Sequence, residues 1–119
     1  MEKSIDSKIL ADLANEVVRR YGEMQVDFPQ KMAKRIRRKF RANLDIDTIS
    51  TLANHFKQIY GYCSSILNNF ISPVKGEYAS LAHVKIDGYM TAIIAQYPDE
   101  DKTILKTIGD WAIYYEYLR

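Results

Sequence analysis

The sequence predicts an all-α protein, a compact bundle of five or six helices in a single domain that spans residues 1–119. Apolar residues recur at the 3.6-residue period of an α-helix, and no segment keeps the two-residue alternation of a strand. The three prolines each fall where a helical pattern breaks or begins. A chain of 119 residues, 47% of them hydrophobic, is also long enough to bury one core.

The first two predicted helices precede the acidic residues at 45 and 47. The first has Ser4 as its expected N-cap and ends near Gly22. Its apolar stripe consists of Ile5, Ile9, Leu10, Leu13, Val17 and Val18. The second begins near Phe28 and Pro29, because proline is favoured in a first helical turn. Its apolar stripe consists of Met32, Ile36 and Phe40.

The third segment, residues 46–71, has two interpretations. Asp45 or Asp47 is a suitable N-cap, and the apolar pattern continues on both sides of Gly61 until Pro73. The segment is therefore either one long helix or two helices that meet near the glycine.

Two further helices complete the predicted bundle. The fourth covers residues 77–97, although Gly88 lies inside it and a glycine within a helix costs about 1 kcal/mol relative to alanine. The fifth follows Pro98, because the acidic residues after that proline suit the positive end of a helix dipole. Its core-facing stripe consists of Ile104, Ile108, Trp111, Tyr115 and Leu118.

Basic residues are concentrated on the second helix. Seven of the eleven residues from 31 to 41 are Lys or Arg and none is acidic, whereas the rest of the chain has 10 basic and 15 acidic residues. The apolar stripe occupies an arc of about 100°, which leaves the basic side chains the remaining circumference. This pattern predicts contact with the phosphates of DNA or RNA, or with an acidic protein surface. The predicted site consists of Lys31, Lys34, Arg35, Arg37, Arg38, Lys39 and Arg41.

The alternative for this helix is a solvated face that the protein's own acidic residues neutralise. Asp12, Glu16 and Glu23 on the first helix, or the acidic residues at 99–101, could supply the opposite charge. The sequence leaves both interpretations open.

Residues 49–70 resemble the helix-turn-helix of transcription regulators. Leu52 and Ala53 match the apolar pair of its first helix. The sequence departs from the motif at Lys57, where the turn usually has a glycine; Gly61 comes four residues later. The resemblance implies that the major groove is faced by Ser64, Ser65, Asn68 and Asn69. The alternative is one continuous amphipathic helix that contains Gly61.

Catalytic and metal-binding patterns do not emerge from the sequence. His55, Cys63 and His83 lack the spacing of a zinc site, and a lone cysteine is usually a buried apolar residue. His83 and Asp87 stand four residues apart and could form a hydrogen-bonded pair. We therefore predict that the protein is not an enzyme and has no catalytic residue, metal or cofactor.

These patterns lead to two expectations about function. The first is a small non-enzymatic nucleic-acid-binding protein, accessory or regulatory, that uses the basic helix on phosphates. The alternative is a helical protein-interaction module, such as an inhibitor, an immunity-type protein or a small subunit of a larger complex. It would use the basic face or a C-terminal aromatic edge formed by Trp111, Tyr114 and Tyr117. Self-association is left open.

The expected location is the cytoplasm, without membrane association. Cys63 has no second cysteine with which to form an intrachain disulfide, which suits a reducing compartment. The first residues alternate charged with apolar side chains, unlike a signal peptide. No run of apolar residues approaches the length needed to span a membrane.

Overall fold

The structure, a computed structural model, describes residues 5–20 and 26–119. Over these residues the chain is all-α, as predicted, with five α-helices and no β-strand. The helices are α1 (Ser7–Arg19), α2 (Phe28–Phe40), α3 (Ile46–Leu67), α4 (Ile86–Gln96) and α5 (Lys102–Ile113). Short 3₁₀ turns occupy Asn68–Phe70 and Leu81–His83, and a π-helical turn, Tyr114–Leu118, continues α5.

The contacts within the chain divide it into two compact units, Met1–Gln58 and Ile59–Arg119. Helices α1 and α2 belong to the first unit and α4 and α5 to the second, while α3 contributes residues to both. The single domain expected for residues 1–119 stays a prediction.

Helix α1 begins at an acidic cap. The backbone N–H of Lys8 donates to Asp6 Oδ1 at 2.7 Å, which satisfies one of the free donors at the helix start. Asp6 therefore holds the N-cap position, while Ser4 and Gly22, the expected ends, lie outside the described residues. Of the predicted apolar stripe, four members are buried: Ile9, Leu13, Val17 and Val18.

Helix α2 confirms the prediction from the sequence. It begins with Phe28 and Pro29 in its first turn, and Met32 and Ile36 are buried. Its C-cap is Arg41, whose backbone is left-handed with φ 53° and ψ 38°. Among the described residues, Arg41 is the one non-glycine residue with positive φ.

Helix α3 is continuous through Gly61, so the helix-turn-helix interpretation is wrong. Lys57 and Gly61 both lie inside the helix, and no turn separates two helices there. The apolar positions on either side of the glycine keep one register: Phe56, Ile59, Tyr60, Cys63 and Leu67 are all buried. At the start of α3, the N–H of Thr48 donates to Asp45 Oδ1 at 2.7 Å. This bond lowers the pKa of the Asp45 carboxyl.

The fourth helix is shorter than predicted, because the backbone of residues 83–85 bonds to residues 70–72. The N–H of Ser72 donates to the carbonyl of His83 at 2.9 Å, and that of Lys85 donates to the carbonyl of Phe70 at 2.7 Å. Val84 and Ile71 form an isolated antiparallel bridge between the same segments. Backbone groups that a helix would use internally are thus bonded to a distant part of the chain, and α4 begins only after them.

Helices α4 and α5 pack closely in the second unit. The buried Tyr89 hydroxyl donates to the Gly109 carbonyl at 3.0 Å. A Cβ on Gly109 would lie 3.3 Å from Ile93 Cδ1, so the glycine permits this approach. As predicted, an acidic residue caps α5: Asp101 accepts from the N–H of Thr103 at 2.7 Å.

The predicted stripe of α5 is buried only in its first half. Ile104 and Ile108 are buried, whereas Trp111, Tyr115 and Leu118 are partly exposed. The π-helical turn begins at Tyr114, and its wider winding changes the directions of the side chains that follow.

Candidate functional site

The basic side chains of α2 form two stripes. Successive residues of a helix are 100° apart around its axis. One stripe lies next to the apolar face of α2, and the other lies on the side of the helix opposite that face. We call the first the paired stripe: Lys31, Arg35 and Lys39. We call the second the open stripe: Lys34, Arg37, Arg38 and Arg41.

The paired stripe contacts carboxylates of the first unit. Arg35 donates from Nε and a terminal nitrogen to the two oxygens of Asp12, at 2.8 and 3.0 Å. Lys39 Nζ donates to the same carboxylate at 3.0 Å. Lys31 pairs with Asp27 at 3.2 Å on the surface. The predicted neutralisation by Asp12 therefore occurs, but for this stripe alone.

Asp12 and Glu16 carry the electrostatics of this contact. The Asp12 side chain is 9% exposed, and the Arg35 guanidinium holds the pKa of its carboxyl below the usual value. Asp12 in turn raises the pKa of Arg35. The buried Glu16 carboxylate lies 2.9 Å from Arg19, 3.4 Å from Arg20 and 3.5 Å from Arg35. The contacts of Asp12 and Glu16 with Arg35 bind α1 to α2, so Arg35 has a structural role.

The open stripe has no such partner. None of its four cations forms an ion pair with a carboxylate of the described residues. On α2 its helical members fall within an arc of about 100°. Lys34, Arg37, Arg38 and Arg41 are all exposed. The stripe therefore presents four adjacent positive charges to solvent.

One member of the open stripe makes a neutral contact. Arg37 Nε donates to the side-chain oxygen of Asn43 at 3.2 Å. An amide oxygen accepts the bond without cancelling the charge, unlike the carboxylate that holds Arg35. Asn43 is not among the site residues predicted from the sequence. Its signal is a polar residue just after the helix end, within reach of a basic residue in the last turn.

A depression of about 190 Å³ beside the paired stripe is lined by residues of both charges. Its charged residues are Arg20, Lys31, Arg35 and Arg38 with Glu16 and Asp27. Because two carboxylates face these cations, the depression concentrates less positive charge than the open stripe does.

The C-terminal aromatic residues form a cluster that differs from the predicted edge. The Trp111 and Tyr115 rings stack with centroids 5.4 Å apart, and Tyr114 meets Trp111 edge-on at 5.8 Å. The guanidinium of Arg119 lies 5.4 Å from the Tyr115 centroid. Tyr114 is 47% exposed. The cluster therefore contains Trp111 and Tyr114 of the predicted edge. Its third member is Tyr115, which was predicted to face the core.

Tyr117 has a different environment from Trp111 and Tyr114. Its hydroxyl lies 2.6 Å from Nδ1 of the buried His83, whose Nε2 lies 2.9 Å from Glu77 Oε2. His83 contacts Glu77 and Tyr117, where the sequence suggested Asp87, because residues 81–83 precede α4 and do not belong to it. This network fastens the 77–83 segment to the end of the chain.

Other sequence candidates have no site geometry. Cys63 is buried, and burial raises the pKa of its thiol to about 11, so the thiolate is scarce at neutral pH. Within the described residues, no group of three His, Cys, Asp or Glu side chains could hold a metal ion. Ser64 and Ser65 lie in α3 and Asn68 and Asn69 in the turn after it, so they do not form a separate recognition helix.

Comparisons with known proteins give no information about function, so a functional proposal rests on the geometry described above. No protein-family model matches the chain, and neither curated proteins nor solved structures give a match. Over the described residues, no helix has both the length and the apolar character required to cross a membrane.

Proposed function

We propose that this chain is a small non-enzymatic nucleic-acid-binding protein, accessory or regulatory, that contacts phosphates through the open stripe. The observation that carries the proposal is the division of the basic helix. Asp12 and Glu16 neutralise the side that faces α1, whereas the far side keeps four cations without a described carboxylate partner. If the basic residues served only to hold α1 and α2 together, we would not expect cations on the side of α2 that faces away from α1.

The composition of the open stripe favours phosphate as the ligand. Three of its four residues are arginines, and a guanidinium can present two parallel donors to phosphate oxygens. Like charges three and four residues apart repel each other by a few tenths of a kcal/mol per pair. A polyanion relieves this repulsion and releases its own counterions on binding. Contacts with phosphates do not read the base sequence, so we expect the open stripe to bind with little sequence preference.

The test is a fluorescence-anisotropy titration of labelled duplex DNA and single-stranded RNA at several salt concentrations. Four neutralised phosphates correspond to a slope of log affinity against log salt of about −3.6 on duplex DNA and about −2.8 on a single strand. A variant with Lys34, Arg37, Arg38 and Arg41 changed to Gln should lose this binding.

The matched control removes four exposed lysines elsewhere: Lys8, Lys75, Lys85 and Lys102, each changed to Gln. It changes the net charge by the same amount, and we expect it to keep most of the affinity. Absence of binding by the wild type at low salt would refute the proposal. So would a loss of affinity that is equal in the two variants.

A second candidate function rests on the C-terminal aromatic cluster. Trp111 and Tyr115 are stacked, Tyr114 lies edge-on to them, and Arg119 lies beside Tyr115. Aromatic residues and arginine are enriched in protein-binding hot spots. A protein-interaction module, such as an inhibitor or a small subunit, would use this cluster. Affinity purification with wild type and Tyr114→Ser separates the two functions, because Tyr114→Ser should release a protein partner and leave phosphate binding unchanged.

A further inference from the structure

The contact between Arg37 and Asn43 distinguishes Arg37 from the other arginines of α2. Arg35 uses Nε and a terminal nitrogen on a carboxylate, and that pairing consumes both its charge and its fork of donors. Arg37 uses Nε alone, on the neutral oxygen of Asn43 at 3.2 Å. Its two terminal nitrogens have no hydrogen bond to a described residue.

The end of α2 creates this contact. The N–H of Arg41 donates to the Arg37 carbonyl at 3.0 Å, and the left-handed backbone of Arg41 then ends the helix. Asn43 follows two residues later and contacts Arg37, one helical turn before the helix end. A left-handed backbone is less favourable for arginine than for glycine, so the chain forms this end at an energetic cost while keeping a cation at position 41.

We propose that Asn43 is a positioning residue that orients Arg37 so that its two terminal nitrogens bind one phosphodiester group bidentately. The inference rests on the proposed function and specifies it: the ligand class is the phosphodiester backbone, and Arg37 is its oriented contact. A neutral acceptor is suited to this role, because it restricts the orientation of the Arg37 guanidinium without neutralising its positive charge. The full charge of Arg37 then acts on the phosphate. An acidic residue at position 43 would restrict Arg37 equally well but would compete with the ligand.

The experiment compares Asn43→Ala and Asn43→Asp in the same salt-dependent anisotropy titration on duplex DNA. Asn43→Ala removes the positioning contact and keeps the charge. We expect an affinity loss of about three- to tenfold, equal at every salt concentration, with an unchanged slope. Asn43→Asp places a carboxylate beside Arg37, so the slope should become shallower by about 0.9, the contribution of one phosphate.

Two further variants serve as controls. Arg37→Lys keeps the charge but lacks the planar fork, so it should match Asn43→Ala, with weaker binding at an unchanged slope. Asn54→Asp adds the same negative charge at an exposed position of α3, where no contact with Arg37 exists, and should leave the slope near that of the wild type. All four variants change exposed residues, and circular dichroism verifies that each is folded.

The outcomes separate the two proposals. If the wild type binds and both Asn43 variants bind as it does, the positioning role is overturned and the proposed function stands. If Asn43→Asp changes the slope no more than Asn54→Asp does, the role of Asn43 is also overturned. If the wild type does not bind at low salt, the proposed function fails, and this inference fails with it.

Discussion

Arginines of α2 have the same chemistry but different partners. Arg35 binds Asp12 through two hydrogen bonds and also approaches Glu16. Arg38, three residues later, forms no ion pair with a described carboxylate. Removal of the first should therefore affect folding, and removal of the second should affect binding.

Arg35→Gln should lower the free energy of unfolding by about 1–3 kcal/mol, because a nearly buried carboxylate loses its main partner. Arg38→Gln should change it by less than about 0.5 kcal/mol, as is usual for an exposed residue. Urea denaturation of both variants measures the difference. Equal stability of the two would contradict the structural role of Arg35.

The Asp12 carboxyl should contribute to the pH dependence of stability. Its hydrogen bonds with Arg35 lower its pKa in the folded protein. The stabilisation is therefore complete above the unfolded-chain pKa of about 3.9 and is lost as the pH falls through the lower folded value. Denaturation midpoints of the wild type should decrease over this acid range.

Asp12→Asn should make that decrease less steep, whereas Asp99→Asn, at an exposed position, should leave it unchanged. An acid transition of the same steepness in Asp12→Asn and in the wild type would show that other carboxyls account for it.

At the scale of the elements, the end of α2 combines an energetic cost with an exposed positive charge of the open stripe. Arg41 adopts the left-handed conformation in which glycine or asparagine is the usual residue. Backbone strain of this kind often marks a functional position, where the side chain matters more than the stability it costs.

Arg41→Gly should raise the free energy of unfolding by up to about 1 kcal/mol, because glycine adopts positive φ without a steric penalty. The same substitution should weaken nucleic-acid binding, because one cation of the open stripe is lost. Arg38→Gly is the matched control: it removes a cation too, but within the helix, and should cost about 1 kcal/mol. Thermal unfolding distinguishes them by the opposite signs of their shifts.

Helix α3 should become more stable when its internal glycine is replaced. Gly61 lies within the helix, and a Cβ there would meet no atom within 4 Å. Gly61→Ala should therefore stabilise the protein by about 1 kcal/mol. Gly88→Ala should lack this gain, because its Cβ would lie 3.1 Å from the Phe70 ring. Destabilisation by Gly61→Ala in a denaturant titration would contradict a continuous α3.

At the scale of the whole molecule, the small net charge conceals an uneven distribution. The formal charge is +2, and loss of the four cations of the open stripe would change it to −2. The variant with all four changed to Gln should be more stable than the wild type at low salt, since repulsion within the stripe disappears.

This difference in stability should shrink as salt increases, because the screening length falls from about 30 Å at 0.01 M to about 8 Å at 0.15 M. Denaturation of both proteins at the two concentrations measures the effect. A difference that is independent of salt would indicate that the variant changes packing and not electrostatics.

The element predictions were most accurate where local interactions decide the structure. Residues within one helical turn determine the start of α2 at Phe28 and Pro29. The same holds for the acidic cap of α5 at Asp101. Phe70, in contrast, bonds to Lys85, fifteen residues away, and no local pattern near residues 77–85 signals that bond. The fourth helix was therefore predicted too long.

For the candidate site, the sequence identified the cations but not their roles. Arg35 and Asp12 are 23 residues apart, and the cation that meets this carboxylate depends on how α1 packs on α2. Asn43 was not predicted for the same kind of reason, because its proposed role depends on its contact with Arg37.

By itself, the sequence determined the all-α class, the starts of α2, α3 and α5 and the position of one strongly basic helix. Periodicity, capping and charge density act over a few residues, so they can be read along the chain. Only the tertiary structure decided that α3 is continuous, that Tyr117 contacts His83, and that the basic helix divides into a paired and an open stripe. Each of these depends on which helix faces meet, and side-chain partners far apart in sequence are chosen by packing.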